Sequence, residues 1–151
     1  MTVAAIPEGF NSITPYLTVA DGAKAIEFYQ QALDAELHFS LPMPDGKIGH
    51  AELKIGNSMI MLADEFEEEG NTSPTTLGGN AMTIMLYVAD CDAVFAQALA
   101  AGGSEVKPMA DQFYGDRSGT FKDPFGHVWT VGTHKEDLTP DEIAARMANM
   151  G

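Results

Sequence analysis

The segment 113-FYGDRSGTFKDPFGHVWTV-131 holds a phenol, two carboxylates, a guanidinium, an imidazole and an indole. Tyr114 and Asp116 stand two apart. On an extended chain they share a face and could form a hydrogen-bonding or acid–base pair, although no nucleophile triad accompanies them. Arg117 points to the opposite face. A buried, unpaired guanidinium is too costly, so Arg117 is exposed, paired with a carboxylate, or an anchor for an anionic ligand group. A second pair of donors, His50 and Glu52, shares one strand face with Lys54, whose charge opposes a cation there. The four histidines, His38, His50, His127 and His134, show no HxH, HxxxH or HExxH spacing. Cys91, the single cysteine, excludes an internal disulfide and has no identifiable base partner; it suits a small residue at a helix start.

Much of the same segment reads as architecture. Asp123-Pro124-Phe125-Gly126 places Pro second and Gly fourth in a β-turn. Gly115 through Gly119 reads as a hairpin region. Trp129, with His127 and Val131 at alternate positions, is expected to pack toward helices.

The elements that carry these residues are written twice. TPYLTVADGAKAIEFYQQALDAEL (14–37) lies on TIMLYVADCDAVFAQALAAGGSEV (83–106) at a constant offset of 69 without gaps. Each copy starts with a strand. Ile13, Leu17 and Val19 form its apolar face in the first copy, and Met82, Ile84, Leu86 and Val88 in the second. Thr14, Tyr16 and Thr18, and Thr83, Met85 and Tyr87, form the mixed faces. A helix follows in each, marked by Ala25, Ile26, Tyr29, Ala32 and Leu33 and by Val94, Phe95, Ala98 and Leu99. Asp21 and Asp90 are placed to cap them, and Gly102-Gly103 stops the second. Asp45-Gly46 signals a hairpin, and residues 58–63 (SMIMLA) a further buried strand. Residues 64–80 read as an acidic connecting loop. Thr139, Pro140 and Glu142 open a closing helix. The expected fold class is α+β: one domain of two βαβββ modules, about 8–66 and 80–134, with a C-terminal helix at about 139–149.

A chain of 151 residues, 45% hydrophobic and 20% charged, can bury a full core. Its net charge of −14, with eight thinly spread basic residues, argues against nucleic acid and against an anionic membrane surface. No window reaches about 18 apolar residues and the N-terminus lacks a basic n-region, so a cytoplasmic protein is expected.

The phrases TPYLTVADGAKAIEFYQQAL, MPDGKIGHAELKIGNSMIMLADE, DQFYGDRSG and DPFGHVWTVGTHKED resemble the vicinal oxygen chelate superfamily. More narrowly, they resemble its PhnB-like glyoxalase/bleomycin-resistance subgroup. The resemblance implies two modules that curl their sheets around a ligand cavity, and a homodimer. It also implies, for the enzymes, a divalent ion held by His and Glu from the first and last strands of each module. Those positions fall on Thr14, Thr83, Thr130 and either Ile60 or Met61. Three threonine hydroxyls with at most one thioether do not make a divalent site, so no metal and no cofactor is expected.

What remains is a cavity lined by Thr14, Tyr16, Met61, Thr83, Met85, Tyr87 and Thr130, together with His50, Glu52, Tyr114, Asp116 and Arg117. Hydroxyls, phenols and thioethers suit a neutral or weakly polar, flat or adaptable organic ligand. The expected function is metal-free binding of a small organic molecule, such as an antibiotic-like or aromatic compound. Two alternatives stand beside it: a metal-dependent lyase or dioxygenase with relocated ligands, and a structural or regulatory dimer with a vestigial cup.

Overall fold

The computed structural model describes residues 2–150. Strand β1 (Tyr16–Val19), helix α1 (Gly22–Leu33) and strands β2 (Glu36–Pro42), β3 (Ile48–Ile55) and β4 (Ser58–Asp64) form the first module. Strand β5 (Thr83–Tyr87), helix α3 (Cys91–Ala101) and strands β6 (Ser104–Asp111), β7 (Asp116–Lys122) and β8 (Val128–His134) repeat it. Each module makes one four-stranded sheet, ordered β1-β4-β3-β2 and β5-β8-β7-β6. In both, the first strand runs parallel to the last, which a helical crossover requires. The segment between modules is more structured than a plain loop. It holds a 3₁₀ turn (Glu67–Glu69) and the short helix α2 (Pro74–Leu77), because Ser73 caps it and Pro74 starts it. Helix α4 (Pro140–Ala148) begins at the Thr139 cap. Among the described residues, no helix is long and apolar enough to cross a membrane.

The repeat extends to the chemistry of the helix starts. Asp21 and Asp90 each accept from the backbone N–H of the third helical residue, Lys24 and Ala93. A second acceptor reaches each helix from the end of the last strand. Asp64 Oδ1 accepts from Gly22 N at 3.0 Å, and Thr133 Oγ1 from Cys91 N at 3.0 Å. Asp64 Oδ2 also takes Ile48 N, so one buried carboxylate joins α1, β3 and β4. Gly22 makes this possible, since a Cβ there would sit 2.7 Å from Asp64 Oδ2.

The two modules share one core. The apolar stripe of α1 (Ala25, Ile26, Tyr29, Ala32, Leu33) is buried, and α1 packs against α3. Tyr29 and Phe28 reach into the second module, where Tyr29 lies 5.5 Å from Trp129 and Phe28 lies 6.2 Å from Phe125. Trp129 stacks on Phe121 and is 1% exposed, so it packs toward the helices as expected. Gln97 of α3 donates to the carbonyl of Gln31 at 2.8 Å and so satisfies the end of α1. His127 Nε2 donates to the carbonyl of Thr18 at 2.9 Å, a second polar tie between modules.

The strongest tie is Asp123, 3% exposed in the turn before β8. Its Oδ1 accepts from the backbone N–H of Phe125 (2.9 Å) and His127 (3.0 Å), which closes the turn. Its Oδ2 accepts from Trp129 Nε1 at 3.0 Å and from the hydroxyl of Tyr29, which lies 94 residues earlier.

Three expectations need correction. Ile13 and Met82 do not join the apolar faces. They precede β1 and β5 and are 86% and 52% exposed, because the sheets begin only after them. Gly119 is not in a hairpin. It lies inside β7, where a Cβ would meet the Met109 backbone and the Phe95 ring at 3.1 Å. The hairpin turn is 112–115, closed by Gln112 and Gly115 at φ +101°.

Removing the Asp123 carboxylate leaves buried Tyr29, Trp129 and turn donors without an acceptor. Asp123→Ala is expected to cost about 3–4 kcal/mol in urea denaturation, against about 1 kcal/mol for Tyr29→Phe. Equal losses for the two variants would contradict this.

Candidate functional site

Period-2 alternation divides each sheet into a face against the helices and an open face. On the first sheet the open face carries Tyr16, His50, Glu52 and Met61. Tyr16 is paired in register with Met61, and Met61 with Glu52. The offset of 69 carries Tyr16 to Met85 and Met61 to Thr130, which are also register partners, so Met61 rather than Ile60 is the equivalent of Thr130. Ile60 faces the core at 3% exposure. On the second sheet the open face carries Thr83, Met85, Tyr87, Asp116 and Thr130. Gly132 lets Met85 lie across β8, since a Cβ there would approach the Met85 methyl to 2.7 Å. Thr14 precedes β1 and is half-buried.

Each open face holds a hydrogen-bonded chain. In the first, the Tyr16 hydroxyl lies 2.8 Å from His50 Nδ1, and His50 Nε2 lies 3.0 Å from Glu52 Oε2. A carboxylate only accepts, so Nε2 carries a proton. When the imidazole is neutral, Nδ1 is an acceptor and Tyr16 donates to it. Burial raises the Tyr16 phenol above its ordinary value, and the charge of Glu52 adds to that. The phenol therefore stays protonated.

In the second, Tyr87 donates to Asp116 Oδ2 at 2.7 Å. His134 Nδ1 meets Asp116 Oδ1 at 2.8 Å, and its Nε2 meets Asp137 Oδ1 at 2.7 Å. Both nitrogens face carboxylates, so His134 is held as an imidazolium. Its pKa is raised first by the hydrogen bond to Asp116 and then by that to Asp137. The hydrogen bond to Asp116 is also the main cause that raises Tyr87. Thr130 pairs with Thr120 through their hydroxyls at 2.7 Å.

Two expected site residues stand apart. Tyr114 lies in the 112–115 turn with its ring edge-on to Phe113, so Asp116 takes Tyr87 and His134 as partners instead. The Tyr114–Asp116 pair is not formed, because the turn breaks the strand alternation that would align them. Arg117 crosses to the helix face. It binds Asp92 of α3 through Nε (2.8 Å) and Nη2 (2.9 Å), and Asp111 through Nη1 (3.3 Å). The paired guanidinium lowers the Asp92 carboxylate in turn. These ion pairs make it a strut between α3, β6 and β7.

His134 and Thr120 were missed as members of the face. Counting by twos from Thr130 along β8 and from Asp116 along β7 reaches them, once the strands are known to continue that far.

The sequence model of the Glyoxalase/Bleomycin resistance protein/Dioxygenase superfamily matches residues 9–131. The chain belongs to that superfamily. An uncharacterized protein of Mycobacterium bovis is 43% identical over 143 residues, which cover 93% of this chain and 94% of that one. The solved structure of protein PA1353 from Pseudomonas aeruginosa superimposes with a TM-score of 0.68 at 28% identity, over 83% of this chain and 99% of the other. A PhnB protein of Bacillus cereus shares the fold, with a TM-score of 0.63 at 21% identity over 82% and 99% of the two chains.

The metal position of superfamily enzymes can be tested on the residues themselves. Thr14, Met61, Thr83 and Thr130 supply three neutral hydroxyls and a thioether, a donor set that does not fit a divalent ion. Among the described residues, no three of His, Cys, Asp and Glu converge where an ion could be held.

The His134 chain has a pH signature. Its folded pKa exceeds the unfolded one, so its stabilisation is complete below the unfolded value, about 6.5, and fades as pH rises through the folded value. The difference in Tm between the parent and His134→Gln is expected to be largest near about pH 5.5 and to shrink toward about pH 8.5. A difference that does not change with pH would show that the imidazolium contributes nothing.

Proposed function

We propose that this chain binds a small, flat or adaptable organic molecule against its open sheet faces without a metal ion, and that it belongs to the PhnB-like, bleomycin-resistance branch of its superfamily. One observation carries the reading. The open faces present exposed rings and thioethers, with Tyr16 51%, Phe39 48%, Met85 40% and Tyr87 59% exposed, beside polar groups already oriented by hydrogen bonds. Such surface is costly to leave in water and well suited to an aromatic ligand. Preorganised phenols add direction without further ordering cost. The same exposure supports a homodimer, in which a second copy covers part of each face. Binding without turnover is the role these faces suit, as sequestration of an aromatic or antibiotic-like compound.

A relocated metal is less well supported. Both nitrogens of His50 are engaged, by Tyr16 and Glu52, so an ion there would have to break the chain that orients the face.

The test is a thermal-shift screen of aromatic antibiotics, quinones and glutathione conjugates with a chelator present. A ligand at 100 times its Kd adds about 2.7 kcal/mol, or about 5–10 °C in Tm for a chain of this size. Shifts that need a divalent ion would support the lyase or dioxygenase alternative. No shift with any compound would support the structural dimer.

A further inference from the structure

A half-open cavity of about 350 Å³ lies beside Tyr16 on the open face of the first sheet, bordered by the chain that follows β4. Its walls include Tyr16, Leu41, Met43, Phe66, Glu69 and Asn71. That volume is within the range of small-ligand sites, roughly 300–1,000 Å³. Three features of the walls point to one ligand chemistry.

The first is the direction of a proton. With His50 neutral, the Glu52–His50 chain takes the Tyr16 proton, and the hydroxyl oxygen keeps lone-pair capacity for a donor on the ligand. The second is charge. Glu69 is the one ionised side chain on the walls, and no Lys or Arg lines them. Lys47 is not part of the lining, its ammonium being held on the Phe66 ring, so the charge that the walls themselves present to a ligand is that of Glu69. Lys54 shares the strand face of His50 and Glu52, but it lies at the far end of β3, opposite Glu36. The third is shape. Aromatic and thioether groups offer polarizable surface to a flat ring, and ring faces attract cations. Phe66 already does so, with Lys47 Nζ at 5.3 Å from its centroid.

We propose that this cavity binds a planar aromatic cation, a ring system bearing a protonated amine or amidinium. The donor group is accepted by Tyr16 Oη and neutralised by Glu69, while the ring lies against Met43, Leu41 and Phe66. The inference rests on the small-molecule reading above and names the ligand class for its first sheet.

Three acridines of like shape separate the possibilities: 9-aminoacridine (a cation at neutral pH), 9-methylacridine (neutral) and acridine-9-carboxylate (an anion). Binding is measured by fluorescence at about 0.3 M salt, where the general field of an acidic protein is screened. The site is located by NMR of the methionine methyl groups, assigned by substitution. The expected result is that 9-aminoacridine shifts the Met43 methyl and binds at least about tenfold tighter than the carboxylate. Glu69→Gln and Tyr16→Phe are each expected to weaken it by about three- to tenfold and to leave the neutral probe unchanged.

Equal or tighter binding of the anion would overturn the proposal, as would cation binding that ignores both variants. Probes that shift Met85 but not Met43 would also overturn it, while the small-molecule reading stands. If no acridine moves Met43, Met61 or Met85, both fail together.

Discussion

The carboxylate of Asp123 is the fixed point from which the rest of the structure can be followed. Two of its four hydrogen bonds close the turn before β8, and so set which residues of that strand face inward. The third holds the indole of Trp129 against the helices, which leaves Thr130 on the open face. The fourth, from Tyr29, docks a helix of the first module on the second. A buried carboxylate is stabilising only when its lone pairs are satisfied, and here all the donors come from groups that must themselves be buried. Burial and the neighbouring carboxylate push the Tyr29 phenol well up, so it remains a donor. One cluster therefore joins turn geometry, strand register and module packing.

The open faces follow from that frame. Alternation along β1, β4, β5 and β8 delivers Tyr16, Met61, Met85 and Thr130 to matching places, because the repeat preserves register as well as order. Superfamily enzymes use this geometry to bring metal ligands together. In this chain the corresponding residues are threonines and a methionine, and the polar capacity lies elsewhere on the same faces. It resides in Tyr16–His50–Glu52 on one sheet and Tyr87–Asp116–His134 on the other. In both chains a phenol is held by a hydrogen bond, to His50 on one sheet and to Asp116 on the other, so the two sheets arrive at similar chemistry with different residues.

The parts of this arrangement legible in the sequence are those set by local rules. The caps at Asp21, Asp90 and Thr139, the Asp45-Gly46 hairpin, the inward Trp129 and the two mixed faces all follow from spacing. The parts that were not legible depend on residues distant in sequence. Nothing near Asp123 announces Tyr29, and nothing near Gly22 announces Asp64. The sequence leaves Arg117 exposed, paired or an anchor, and Asp92 is identified as its partner only when α3 is seen to pack on β7. Tyr114 fails for the opposite reason, because strand alternation does not reach two residues back from Asp116 into the turn. Ile13 and Met82 fail in the same way, lying before the first residues of β1 and β5.

The central claim is that an organic, hydrogen-bonded surface stands where superfamily enzymes hold an ion. Calorimetric titration of Zn²⁺, Ni²⁺ and Mn²⁺ into chelator-stripped protein tests it most directly. The account predicts no saturable site tighter than roughly millimolar. One equivalent per chain bound at about micromolar affinity, and lost in His50→Ala or Asp116→Ala, would contradict it.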